Sequence, residues 1–572
     1  MAPDGVLLVG RLRRIEPLFL LLADPWTTFT PMLSSSRDKK MTTIRSFFGS
    51  LISHRLCLFL FSACWLTTAT AAPGGPGDLS VGVCKQDITP VSASLAQAYE
   101  DTFGEAKTVN HTDPIFMAGF GNNRQATGYH DRLWARGVVI DGRGGRIALV
   151  ALDLVGYFNN QIEIAREMVG SDVDYLIVQS THSHEGPDTL GIWGPDPLTT
   201  GVDAGYLDFV NDAIADCVND ATANLRAARV KSVTTSTAGL STGMRSDDDG
   251  YGVADQKVLA GDDILSPDTN GRIVDPNLVV LQFTEREAAK DVIATIVNFG
   301  SHPEALWSQN TLLTSDFPHF VRERLEQEYG GTAIWVSGAL GVLQGPDRID
   351  VTEDGVNPVL PRRSFQFAEV HGRQLAERAI AALDNRPGHP APVVAFAREN
   401  PVPVSLDNSF FRFFFAVGVL GQGRTLYTNG LPDASVGFPL PPPFDVIPQS
   451  LGDDLQTEVG AARVGDAGLI VVPTELDPQI GAQYRAAMTG VRDKLIVGLG
   501  NDHIGYQVLE SKFDQSCMIC APFVLAGVPQ FCPLYPDIDC STVFQNNVGP
   551  GLDPAISGAL MPLIEQINQT HP

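Results

Sequence analysis

Between residues 79 and 506 the chain alternates apolar, β-branched runs with stretches of helical period. RIALVALDLVG from Arg146, NQIEIAREMVG from Asn160 and VDYLIVQS from Val173 read in turn as strand, helix and strand. Repetition of that rhythm predicts an α/β fold, a large mixed sheet with flanking helices. The spacing of Leu207, Val210, Ile214, Cys217 and Val218 predicts a helix over residues 204–226, and similar patterns predict helices over 318–329 and 365–384. The run SFFRFFFAVGVLGQG carries five phenylalanines between Phe410 and Phe415. High aromatic β-propensity reads it as a buried strand, one face of which would also serve as an apolar wall for an acyl chain. The proline-rich stretch from Gly430 to Ser450 predicts a long loop over the body, in the manner of a lid.

Four of the apolar runs end on a metal donor. YLIVQSTHSHEGP delivers His182 and His184, which in extended chain point the same way because side chains at i and i+2 share a face. VIATIVNFGSHPE ends on His302, LIVVPTELDP on Glu475, and KLIVGLGNDHIGY on His503 and Tyr506. In open α/β sheets ligands gather beyond the carboxyl ends of the strands, so donors far apart in sequence can meet there. Imidazole and carboxylate are also the donors a catalytic zinc takes. The competing reading is four separate loops with local hydrogen bonds. His130, His319, His371 and His389 have no partner pattern and read as surface or satisfied interior residues.

Composition narrows the function classes. With 572 residues and 44% hydrophobic content the chain can bury a large core. A net charge of −26 argues against nucleic-acid partners, since no Lys/Arg surface exists to meet phosphates. The densest charge run, Asp247 to Asp249, reads as a solvated turn, with a calcium loop as the alternative.

Residues 1–72 read as address, with 1–40 as an upstream extension and 41–72 as a secretory signal. That signal has a basic start, the apolar run LCLFLFSACWL and the small-residue exit TATAAPGG. A lipid-attachment box ending at Cys64 is the alternative, poorly served by Phe61. Export predicts a secreted, periplasmic or extracellular location, where Cys84, Cys217, Cys517, Cys520, Cys532 and Cys540 would form disulfides. The last four would staple a short irregular tail over 511–572, or form a zinc knuckle. The body is then 73–510. Asn110 and Asn568 stand in glycosylation sequons.

At THSHEGP, and over much of residues 80–510, the sequence resembles the neutral, non-lysosomal ceramidases. The likeness is carried in order by FMAGFGNNRQATGYHDRLWARGVVI, DPNLVVLQF, NFGSHPEAL, the TSDF turn at Asp316, VPTELDPQIGAQYR and VGLGNDHIGYQ. It implies a Zn2+ ion held by His182, His302, Glu475 and Tyr506, with His184 as the catalytic histidine, and metal-activated water as nucleophile. His503, Asp316 and Glu304 are then candidates to orient the ligands. The implied substrate is a small-molecule or lipid-like acyl compound cleaved at an amide or ester bond, compatible with peripheral membrane contact.

Two departures bear on that reading. The family loop resembling NLGDVSPN carries a serine near the metal, whereas SGALGVLQGPD puts Val342 and Gln344 where aspartate and serine would stand, and Ser337 lies earlier. After Tyr506 the sequence has 66 residues, too few for the further β-sandwich the resemblance would lead one to expect. Two alternatives therefore accompany the hydrolase reading. One is an inactive relative that binds metal and ligand, and the other is a disulfide-stabilised cell-surface protein.

Overall fold

The computed structural model describes residues 78–570 except 238, 244–265, 268–272, 289, 342–343, 347–348, 354–357, 385, 389–392, 417, 422, 433–451 and 511–545. The signal segment, the Asp247 to Asp249 run, His389, the four later cysteines and most of the proline-rich loop lie outside the described residues.

The first of two large sheets has eight strands. Across it they run Thr332–Ser337, Val292–Phe299, Asn277–Glu285, Arg226–Ser236, Ser80–Asp87, Trp134–Gly142, Gly145–Leu152 and Tyr175–Ser180. The pairs at its two edges are parallel and the interior pairs antiparallel. Each edge pair is a strand–helix–strand unit, with helix Asn159–Met168 on one side and Phe317–Tyr329 on the other. The second sheet is built on Val394–Ser405, Asp454–Val464, Ala467–Val471 and Asp493–Val497, the last two parallel and joined through helix Pro478–Ala487.

Alternation along the strands divides the core. Ile147, Leu149 and Ala151 face the second sheet, where they meet the layer holding Leu469, Val471, Leu495 and Val497; Ala148, Val150 and Leu152 face the helices. Helices cover both outer faces, giving four layers. The two sheets are pinned at their carboxyl ends. Asn298 donates to the Val336 and Ile496 carbonyls at 2.9 and 2.7 Å, and Asn501 accepts from Val178 N at 2.8 Å. A disulfide joins Cys84 on a strand to Cys217 on helix Ala204–Ala223. Gly137 leaves room for it, since a Cβ there would lie 2.7 Å from Cys84 Sγ.

The predicted helices are observed as Ala204–Ala223, Phe317–Tyr329 and Phe365–Leu383. The first ends early because Arg226 already begins a strand. The phenylalanine run departs from expectation: Ser409–Ala416 is a helix, not a strand. Phe411, Phe414 and Phe415 have the i, i+3, i+4 spacing that puts three rings on one helical face, and tertiary burial of that face overrides aromatic β-propensity. In the last segment, Leu552–Asn568 forms a helix whose Ile556, Leu560 and Ile564 enter the core beside the second sheet. The cysteine pattern that marked 511–572 says nothing about that apolar period.

Candidate metal centre

The parallel pairs explain the position of the donors. In each, the chain leaves the carboxyl end of a strand into a short buried loop, and the edge pairs of both sheets open the same way. His182 lies two residues past Ser180, His302 three past Phe299, Glu475 four past Val471, and Tyr506 nine past Val497. The backbone is tightly turned there: His182, Leu499 and Asn501 hold φ of 66°, 53° and 61°, a strained region for residues with a Cβ and one concentrated at functional sites.

The donors meet in one buried space. Glu475 Oε2 lies 3.1 Å from His302 Nε2 and 3.4 Å from His182 Nε2; Tyr506 Oη lies 3.5 Å from His302 Nε2, and His184 Nε2 lies 3.2 Å from His182 Nε2. Backbone carbonyls settle the tautomers. His182 Nδ1 stands 2.6 Å from the Val155 oxygen and His302 Nδ1 3.0 Å from the Gln344 oxygen. A carbonyl only accepts, so both Nδ1 atoms carry a proton, and in the neutral ring each Nε2 is then the atom that offers a lone pair.

In the neutral rings those lone pairs face a carboxylate, an arrangement that a divalent cation between them would satisfy. The separations of 3.1 to 3.5 Å also match the roughly 3.3 Å edges of a tetrahedron with zinc–ligand distances of ~2.0–2.1 Å. The residues therefore fit a divalent metal on geometry and donor type. Among the described residues two sets of donors are close enough to share an ion, His182 with His184 and His302, and His182 with Glu475 and His503.

Burial alone would raise the Glu475 carboxyl, but the surrounding imidazoles of His182, His302 and His503 hold it well below the usual range. Burial, reinforced by His182 and His302, pushes His184 well below the ordinary imidazole value. His302 is lowered by burial but raised on balance by Glu304 and Glu475.

The candidate orienting groups divide. His503 Nε2 stands 3.3 Å from Glu475 Oε1, and Glu304 Oε1 stands 3.1 Å from His184 Nδ1 without the alignment of a hydrogen bond. The Asp316 carboxylate turns to backbone amides. It accepts from Ala305 N and Leu306 N at 3.1 and 3.2 Å and caps helix Phe317–Tyr329, so it shapes the turn after His302. Ser337 is a strand-end residue donating to Thr181 O at 2.7 Å, and the Gln344 side chain turns to Asp275 and Gly300.

The remaining histidines differ from one another. His130 stacks on Phe365 at 3.8 Å and, with His319, faces Asp131. His371 is fully buried between Phe317 and Phe367 without a hydrogen bond on either ring nitrogen, and burial lowers it to about 3.

Several contributors carry no sequence signal of their own. The Val155 and Gln344 carbonyls act through backbone, and Gly119 and Gly156 act through absence. A Cβ on Gly119 would fall 2.2 Å from the His184 ring, and one on Gly156 2.8 Å from the His503 ring. Only the glycine-rich FMAGFG segment hinted at this. The donors open into a cavity of about 440 Å³. Phe158, Phe411, Phe414, Phe415 and Ile504 form one apolar side, with Trp193 packed against that cluster, and Phe120 and Trp307, in ring contact with each other, also line the cavity.

A sequence model described as "Neutral/alkaline non-lysosomal ceramidase, N-terminal" matches residues 101–339, a span that includes His182, His184 and His302 but not Glu475 or Tyr506. Among solved structures, the neutral ceramidase from Pseudomonas aeruginosa is 15% identical with a TM-score of 0.60, covering 87% of this chain and 76% of that one. A second, a ceramidase complexed with C2, is 16% identical with the same TM-score and the same coverage. No curated protein matches the sequence significantly.

Proposed function

We propose, from the match of residues 101–339 to the neutral/alkaline non-lysosomal ceramidase family model, that this chain is an exported, zinc-dependent hydrolase cleaving an amide or ester bond of an acylated, lipid-like substrate. The observation that carries the proposal is the convergence of two imidazole lone pairs on a buried carboxylate at the wall of an apolar cavity.

His182, His302, Glu475 and Tyr506 would hold the ion. When bound, it would supply a Lewis acid for the scissile carbonyl and a water whose pKa falls toward about 7. The rest is done by the chain. His184, uncharged because burial and neighbouring imidazoles disfavour its proton, is ready to accept one at Nε2, with Glu304 beside Nδ1 to stabilise the charge that develops. The phenylalanine face of helix Ser409–Ala416 seats the acyl chain and excludes water from the reacting centre. The buried Cys84–Cys217 disulfide supports export, because such bonds persist in oxidising compartments.

His184→Ala is expected to abolish hydrolysis of a panel of N-acyl and ester substrates while leaving zinc content intact, whereas His302→Ala removes the metal. A wild-type chain that binds zinc and turns over none of the panel would instead establish the binding-protein reading. That alternative is favoured by Gln344 at the position where the resembled family has a serine. A purified chain without stoichiometric metal defeats both.

A further inference from the structure

Gln344 is fully buried, and both its side chain and its backbone are committed. Its carbonyl accepts twice from one residue, from His302 N at 2.7 Å and from His302 Nδ1 at 3.0 Å. Its amide is held in turn. Oε1 accepts from Asp275 N at 2.8 Å, and the two Nε2 protons are shared among Asp275 O at 2.8 Å, Gly300 O and, at the longest distance, Ser241 Oγ at 3.2 Å. The loop is also tied to the other ligand-bearing segment. Gly341 N donates to Leu476 O at 2.9 Å, next to Glu475. The Asp275 carboxylate pairs at 2.6 Å with Arg485 on the helix that follows Glu475, both side chains being buried.

Resting on the metal-site reading above, we propose that Gln344 is a positioning residue of that site: its side-chain amide fixes the loop so that its carbonyl holds His302 in the tautomer and orientation that present Nε2. A metal-ligating histidine commonly has its other ring nitrogen anchored in this way, and the anchor sets ligand basicity and ring direction. Here the anchor is a backbone oxygen, which no substitution at 344 removes, so its placement depends on the amide. The position where the resembled family has a serine is thereby a bracket between the His302 turn and the Glu475 segment. A serine hydroxyl is too short to span Asp275 and Gly300 together.

The test is metal affinity measured by chelator competition on the full chain, with the visible spectrum of the cobalt(II)-loaded form as a second readout. Gln344→Met keeps volume and removes the amide. It is expected to weaken metal binding by roughly 10–100-fold, as loss of an outer anchor does, and to shift the cobalt bands. Gln344→Ser is expected to behave the same way and to gain no turnover. Ser241→Ala removes one weak contact and keeps the question answerable if the Met variant does not fold; a two- to fivefold loss is expected, on the order of one hydrogen bond. Wild-type affinity and an unchanged spectrum in a folded Gln344→Met, or in Ser241→Ala where the former does not fold, overturn the proposal alone. A wild-type chain that takes up no metal overturns the metal-site reading with it.

Discussion

Gly119→Ala adds a single methyl group and should disable the site without emptying it. The built Cβ lies 2.2 Å from His184 Cγ and 2.4 Å from its Nδ1. Ordinary carbon contacts begin near 3.5 Å, so the ring must retreat by about 1.3 Å or the loop must shift by as much. A displacement of about 1 Å in a group that acts on the reacting atoms costs on the order of 10²-fold in rate, equivalent to ~2.7 kcal/mol of barrier. Because Gly119 sits at φ +90°, the substitution also carries backbone strain of roughly 1–3 kcal/mol. The assay compares kcat on an N-acyl substrate with zinc content and melting temperature, using Gly121→Ala as the control. At Gly121 nothing lies within 4 Å of an added Cβ, and the rate should stay within twofold of wild type. A Gly119→Ala protein with full metal and a rate within a few-fold of wild type would refute the placement of His184 in the reaction.

Removing the metal from wild type by dialysis against chelator should lower the melting temperature, since an ion present at 1,000 times its Kd stabilises by about 4 kcal/mol; His302→Ala should melt alike with and without added zinc. Burial would raise the Asp131 carboxyl, but His319 and the hydrogen bonds from His130, Ser315 and Thr314 hold it at about 2. A folded-state pKa below the unfolded value stabilises above pH ~4, and that contribution, roughly 2 kcal/mol, is lost as pH falls from 4 to 2. Asp131→Asn should flatten the denaturant-derived stability curve across that window, and an unchanged slope would contradict the assignment. The buried pair of Arg322 with Asp153, bonded at 2.7 and 2.9 Å, predicts a loss of ~3–5 kcal/mol for Asp153→Ala in urea unfolding, because the guanidinium is left unpaired. Phe411→Ala should raise kcat/KM for longer acyl chains relative to shorter ones by enlarging the cavity; an unchanged chain-length profile would separate the phenylalanine face from substrate binding.

Local periodicity was enough to bound the helices near 204, 317 and 365, to divide apolar strands from the loops that follow them, and to set His182, His302, Glu475 and Tyr506 at strand ends. Those features depend on neighbours a few residues away, and side-chain alternation or helical spacing records them directly. The phenylalanine run shows where that record fails. Its composition favours a strand, and only the burial of Phe411, Phe414 and Phe415 against a distant wall makes a helix the better solution. Gln344 shows it again, since in the sequence it marks only a difference from the resembled family's loop, while its placement turns the amide toward Asp275 and leaves the carbonyl to His302.

The order in which donors appear, and the strand each one follows, belonged to the sequence. Which ring nitrogen is protonated, which oxygen faces it and which side chain is shut out were decided by tertiary structure, through partners as far apart as Val155 and His182, 27 residues, or His302 and Glu475, 173 residues. Lone-pair direction depends on atoms within about 3 Å, and in a folded chain most of those atoms come from segments whose separation in sequence bears no relation to their distance in space.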